Sequence, residues 1–333
     1  MIKLLADSTC DLSDEIIKKY NISIAPLSIL INGKTYKDRI DIFPEDFYKL
    51  LPTLDTLPTT SMPSPLDFRK IIDEAVENGF DELICIAMSS GTSGSFHSAM
   101  LAKTDYYEDN PDSKVKIHIV DSKCMSHGSG YLLMKSAQLI EDGIGYEEIV
   151  EFNETFKMNV KHFLAVDDLD NLIKSGRLTN VSAMIGKILN IKPLMSMRNG
   201  KGAIVAKVRS NKKVISHYIK EFGIRADRLL TDFLIIGYTS DRTKAESLEI
   251  AIREKTDFDG DIYIMQMGVS VGTHVGMGGL SFYFIETGDR HDGLFFNELQ
   301  DFKERKNKFS SRFKELKDKH LKELSDKHFI NRR

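Results

Sequence analysis

The chain has 333 residues, 41% of them hydrophobic and 29% charged, with a formal net charge of -3. That length allows one large or two ordinary domains with real cores, and the charge leaves no overall positive field to attract nucleic acid. No apolar run is long enough to cross a bilayer, so no stable membrane insertion is expected; the three cysteines, Cys10, Cys85 and Cys124, lie too far apart in sequence to imply a disulfide framework.

In chain order, residues 2–6 read as a strand rather than as the core of a signal peptide. With the cysteine usage, this makes a reducing cytoplasm the expected compartment. The strand ends at Asp7-Ser8-Thr9-Cys10-Asp11, and Ser13-Asp14-Glu15-Ile16-Ile17 is a capped helix start. Residues 22–31 are apolar and β-rich, residues 45–51 look helical, and two prolines keep Thr59-Thr60-Ser61-Met62-Pro63-Ser64-Pro65 out of any helix interior. A helix over about 65–78 is stopped by Gly79. A strand at 83–87 leads into Met88-Ser89-Ser90-Gly91-Thr92-Ser93-Gly94-Ser95 and then into another helix. A strand at 115–120 ends in Asp121-Ser122-Lys123-Cys124, and residues 125–142 read as a helix. Strands alternating with helices predict a parallel sheet covered on both faces, a Rossmann-like α/β/α layer. Ligands of such sheets sit at the strand C-terminal ends. The loops at 7–11, 59–64, 89–95 and 121–127 are therefore expected to share one edge, with Asp7 and Asp121 as helix caps.

The second half differs. A strand at 160–165, a helix at 168–175 ending in Gly176-Arg177, a hairpin turn within 197–203 and strands at 234–238, 262–266 and 281–285 predict a mixed α/β domain. Residues 268–280 hold five glycines and His274 and read as a loop. The expected division is 1–160, 161–295 and a charged tail, 296–333. In that tail Phe302, Phe309, Phe313, Leu316 and Leu324 fall near helical spacing.

The segment from Ser89 to Ser95 carries the clearest chemistry. A hydroxyl- and glycine-rich turn between strand and helix supplies donors for an anion without net charge. Metal-ligand spacings of the HExxH or CxxC type are absent, as is GxxxxGK[ST], so neither a metal nor a nucleotide is expected on this chain. Gly268-Val269-Ser270-Val271-Gly272 fits the GxSxG pattern of a serine esterase. That reading needs a helix after the turn, where glycines and a strand are expected instead, and the nearest downstream pair, Asp289 and His291, is poorly spaced for a triad.

Several motifs together resemble one family. They are Asp7-Ser8-Thr9-Cys10-Asp11-Leu12, Thr60-Ser61-Met62-Pro63-Ser64, Ser89 to Ser95, Val166-Asp167-Asp168-Leu169, Ser175-Gly176-Arg177-Leu178, Ile191-Lys192-Pro193-Leu194, and Gly272-Thr273-His274-Val275-Gly276-Met277-Gly278-Gly279. In order and spacing, over residues 1–285, they resemble the DegV family of bacterial fatty-acid-binding proteins. The resemblance implies two domains with a ligand tunnel between them. It further implies a long-chain fatty acid as the only bound group, with no cofactor, and a non-catalytic role as the binding subunit of a fatty acid kinase. A separate ATP-using catalytic subunit would phosphorylate the presented carboxylate to an acyl phosphate for phospholipid synthesis. Thr60, Ser93 and, beside them, Ser61 and Gly94 match the carboxylate site; Arg177 and His274 match motif positions near the head group. Met277 stands where members often carry Pro, and Phe96 where they often carry Tyr.

Taken on residues alone, other readings stay open. Thr60, Ser61 and Ser93 can be turn or capping hydroxyls, Arg177 a surface charge and His274 structural. The ligand can be another lipid acid, carried or sensed. The physics of a fatty acid sets two demands: burying roughly 14 methylenes is worth on the order of 11 kcal/mol gross, part of it offset by lost freedom, and its carboxylate must find donors.

Overall fold

The computed structural model describes residues 1–179 and 191–288. β1 (Ile2–Asp7) is followed by a 3-10 turn, Ser8–Cys10, then α1 (Asp14–Lys19) and β2 (Ser23–Ala25). The cap of α1 comes from Ser13, whose Oγ accepts from Ile16 N, with Asp14 and Glu15 in the first turn and Lys18 and Lys19 in the last. β3 (Ser28–Ile31), β4 (Lys34–Lys37), α2 (Pro44–Leu50) and β5 (Thr59–Ser61) come next. Then follow α3 (Pro65–Glu77), β6 (Glu82–Ala87), α4 (Ser95–Asp109), β7 (Lys116–Asp121), α5 (His127–Glu141) and α6 (Tyr146–Phe156). The chain continues through β8 (Val160–Ala165), α7 (Asp170–Lys174), β9 (Leu178–Thr179), β10 (Ile191–Arg198), β11 (Lys201–Arg209) and α8 (Asn211–Arg225). The last described elements are β12 (Phe233–Tyr238), α9 (Arg242–Lys255), β13 (Asp261–Gln266), α10 (Val269–Val275) and β14 (Leu280–Ile285).

The fold is α/β, with three sheets among the described residues. β2-β1-β6-β7 is fully parallel, as the strand–helix alternation predicts. β13-β12-β14-β8-β10-β11-β9 is mixed, and its β10–β11 hairpin turns at Asn199-Gly200, both at positive φ as a two-residue hairpin turn requires. β4-β3-β5 is a small antiparallel sheet.

α5 joins the two large sheets. It is buried along nearly its whole length and packs on β1 and β6 on one side and on β8, β12 and β14 on the other. Leu4 and Ile86 of the parallel sheet, Tyr131 and Leu132 of α5, and Phe233 and Ile235 of the mixed sheet therefore share one core. The approach is close enough that a Cβ on Gly128 would lie 1.9 Å from Nε2 of His162. Gly128→Ala is expected to cost about 1–3 kcal/mol as overpacking; urea unfolding measures it, and an unchanged midpoint would contradict this packing.

Two expectations are corrected. Residues 22–31 do not form one strand: Pro26, which has no N–H to give a ladder, breaks them into β2 and β3, and these belong to different sheets. The stretch 268–280 is not a loop. Its first part is α10, held by Gly272 N to Gly268 O and Gly276 N to Gly272 O, both at 2.8 Å. Packing overrides the poor helix propensity of glycine here, because Gly272 lets the helix lie directly on the Tyr48 side chain. The expected tail helix and the pair Asp289 and His291 lie outside the described residues.

Candidate functional site

The loops after β1, β6 and β7 open towards the inner face of the mixed sheet, and a cavity of about 390 Å³ lies between them. That volume is within the usual range for a small-molecule site, about 300–1,000 Å³. Its walls are mostly apolar: Leu27, Leu164, Leu172, Leu178, Val271, Val275 and six methionines, Met62, Met88, Met125, Met195, Met197 and Met267. Methionine is unbranched and adapts to irregular contacts, so this wall can follow a flexible chain.

All six sequence-predicted residues, Thr60, Ser61, Ser93, Gly94, Arg177 and His274, line this one cavity. Thr60 does not come from a loop of the parallel sheet, as expected, but from β5 at the edge of the small sheet. Its Oγ1 lies 2.8 Å from Nε2 of His274 on α10. Ser61 follows it, exposed at the rim. Ser93 stands just before α4, where its Oγ accepts from Ser95 N at 3.2 Å and lies 3.0 Å from Ser95 Oγ. The amides of Gly94, Phe96 and His97 have no acceptor among the described residues, and Gly94, the residue that opens the 15-residue α4, lines the cavity. Arg177 is half-buried; its Nη1 donates to the Ser175 carbonyl, and no carboxylate among the described residues pairs with it.

Buried aspartates hold the loops that carry this site. Asp7 caps the turn after β1 through Thr9 N at 3.1 Å and accepts from Met88 N at 2.9 Å, so it ties β1 to β6. Asp38 takes Ser8 Oγ at 2.9 Å and Ser270 N at 3.4 Å, and so links the parallel sheet, the segment after β4 and α10. Asp11 accepts from Ser126 Oγ at 2.6 Å. Burial raises the pKa of all three. Asp121 is not a helix cap: it accepts from Ser90 N at 3.0 Å and pairs with Lys123, fastening one loop to the next.

Burial pushes the ring pKa of His274 down to about 4, with the nearby Arg177 adding to the effect, and those of His127 and His162 down to about 3. These rings are therefore neutral near pH 7. Unfolded histidine titrates near 6.5, so below that value the unfolded chain binds more protons and these groups reduce stability as the pH falls towards 4. Asp7, Asp11 and Asp38 act in the opposite sense, because the folded chain takes up their protons first. An NMR titration of the His274 ring is expected to show a midpoint near 4; a midpoint near 6.5 would contradict this burial.

Residues that sequence reasoning missed also line the cavity, among them Thr9, Ser126, His162, Ser196 and Tyr283. Thr9 and Ser126 lie in the strand-end segments already singled out. His162 and Tyr283 face each other across β8 and β14, a pairing that only the sheet register reveals. Ser270, the GxSxG serine, is buried on α10; a helix does follow the turn, but the nearby His274 is held by Thr60. Among the described residues no cluster of His, Cys, Asp and Glu is placed to hold a metal ion, and no helix is long and apolar enough to cross a membrane.

Comparison with known proteins gives this architecture a family. A family model described as "Uncharacterised protein, DegV family" matches residues 1–287. A DegV domain-containing protein of Caldanaerobacter subterraneus is 33% identical over 289 residues, covering 86% of this chain and 99% of the relative. Among solved structures, a fatty-acid-binding DegV family protein from Thermus thermophilus aligns with a TM-score of 0.77 at 25% identity, covering 86% of this chain and 99% of that one. A stearic acid-binding protein from Eubacterium ventriosum aligns with a TM-score of 0.75 at 26% identity, covering 86% of this chain and 98% of that one. By the extent of the family match and by its identity to the Caldanaerobacter relative, the chain belongs to the DegV family.

Proposed function

We propose that the protein binds one long-chain fatty acid, chain in the cavity and carboxylate at its polar end, and presents that carboxylate to a separate ATP-dependent kinase subunit. The observation that carries the reading is the pairing of a largely apolar cavity with unused donors at one place in its wall. The hydroxyls of Thr60 and Ser93, the free amides opening α4 and the Arg177 guanidinium can together satisfy a buried carboxylate. A carboxylate at this place selects one arrangement of the histidine pair: Nε2–H of His274 donates to Thr60 Oγ1, and the Thr60 hydroxyl donates to the ligand. His274 is thus a positioning residue. In the transfer, a carboxylate oxygen attacks the terminal phosphorus of ATP on the partner, ADP leaves with the bond electrons, and an acyl phosphate remains.

In this reading residues 1–160 are the head-group domain, 161–295 the second domain with the ligand between the two, and the protein acts in the cytoplasm. The fatty acids named for the Thermus and Eubacterium relatives support the ligand class.

Calorimetry with a series of saturated fatty acids tests it. Each added methylene is expected to tighten binding by up to about 0.8 kcal/mol, about fourfold, until the cavity is filled. The matching fatty alcohol, without charge, is expected to bind at least about tenfold more weakly. Affinity independent of chain length, or an alcohol as tight as the acid, would refute the reading.

A further inference from the structure

Beside the head-group site a second, smaller notch of about 180 Å³ opens at the surface. It is lined by Gly91, Thr92, Gly176, Arg177 and Lys201. Arg177 and Thr92 line both the notch and the cavity, so the two adjoin at these residues. Lys201, the first residue of β11, is exposed. Among the described residues neither Lys201 nor Arg177 has a carboxylate partner. Asp121, on the neighbouring loop, is already paired with Lys123 and bonded to Ser90.

The position of Lys201 is built in. Ser89 Oγ donates to the Gly200 carbonyl at 2.6 Å, fastening the hairpin turn to the loop before α4. On the other side β11 pairs with β9, Gly202 opposite Leu178, which places the start of β11 beside Arg177. Two loops and a hairpin thus hold, around one opening beside the proposed carboxylate site, two cations without a carboxylate partner among the described residues.

From this we infer that the notch is the phosphoryl subsite for the acyl phosphate product: the carboxyl end stays at Thr60 and Ser93 while the new phosphoryl group projects between Arg177 and Lys201. The inference rests on the proposed presentation of a fatty acid for phosphorylation. A carboxylate carries one negative charge, and one cation with neutral donors is enough for it. The acyl phosphate carries more charge and further acceptor oxygens, and these match a fork-shaped guanidinium and a mobile ammonium. The notch also offers the partner's nucleotide an approach beside the carboxylate, since it opens at the surface.

Palmitate and hexadecyl phosphate, a stable analogue of the product's charged end, are the probes. Their affinities are measured by calorimetry on the full chain and on Lys201→Ala and Lys201→Arg. Lys201→Ala is expected to weaken hexadecyl phosphate at least about tenfold and to leave palmitate within about twofold, with Lys201→Arg recovering most of the loss. Raised salt is expected to weaken hexadecyl phosphate more than palmitate. Equal losses for both probes, or no loss for either, would overturn the subsite while palmitate binding stands. Failure of palmitate itself to bind the unaltered chain would overturn the fatty-acid reading and the subsite with it.

Discussion

The double substitution Thr60→Ala, Ser93→Ala is expected to weaken long-chain fatty-acid binding by on the order of a hundredfold or more. Each hydroxyl makes a hydrogen bond to a charged acceptor, worth about 1.5–3 kcal/mol, and each loss leaves a desolvated carboxylate oxygen without its donor. Thr60 also carries the contact to His274, so its removal frees the ring that orients the site. Both side chains are only half-buried, and replacement by alanine opens no core cavity, so the fold should persist. Calorimetry, with thermal unfolding as control, reads the two effects separately. Retention of unaltered affinity by the double variant would place the carboxylate elsewhere.

Arg177→Ala is expected to reduce acyl-phosphate formation by on the order of a hundredfold to a thousandfold in a reconstituted reaction with the kinase subunit and ATP. Its effect on fatty-acid affinity should be much smaller. The ground-state carboxylate keeps the two hydroxyls and the opening amides of α4, whereas negative charge accumulates during transfer where only cations answer it. His274→Ala should follow the same order with a smaller effect on transfer, because it acts through Thr60. Single-turnover formation of acyl phosphate at saturating fatty acid separates transfer from binding. Equal losses in affinity and transfer would assign Arg177 to binding alone.

Much of this architecture is legible in the sequence where local chemistry and tertiary fate agree. The apolar runs that become β1, β6 and β7 are short and bounded by turn residues, and Ser64 with Asp67 marks the start of α3 by a reciprocal cap. Ser93 and Gly94 stand out as candidate cavity residues because glycines and hydroxyls are dense at the end of β6, although turn and cap roles use the same residues. What escapes is decided by packing. The glycines of α10 argue against a helix until Tyr48 and the aspartate-tied loops supply its surroundings. Pro26 divides β2 from β3, but which sheet each joins is a matter of long-range pairing. His162 and Tyr283 belong to strands that look like any half-buried strand, and only their register across the mixed sheet turns them towards the cavity.

Native mass spectrometry of the purified chain, before and after delipidation and reloading with palmitate, asks most directly whether an acyl chain occupies this cavity. One long-chain carboxylic acid per chain, taken up again by the stripped protein and displaced by a bulky residue in place of Leu164, is the predicted result. A stripped protein that takes up no palmitate, or takes it up equally with Leu164→Trp in place, would contradict the account.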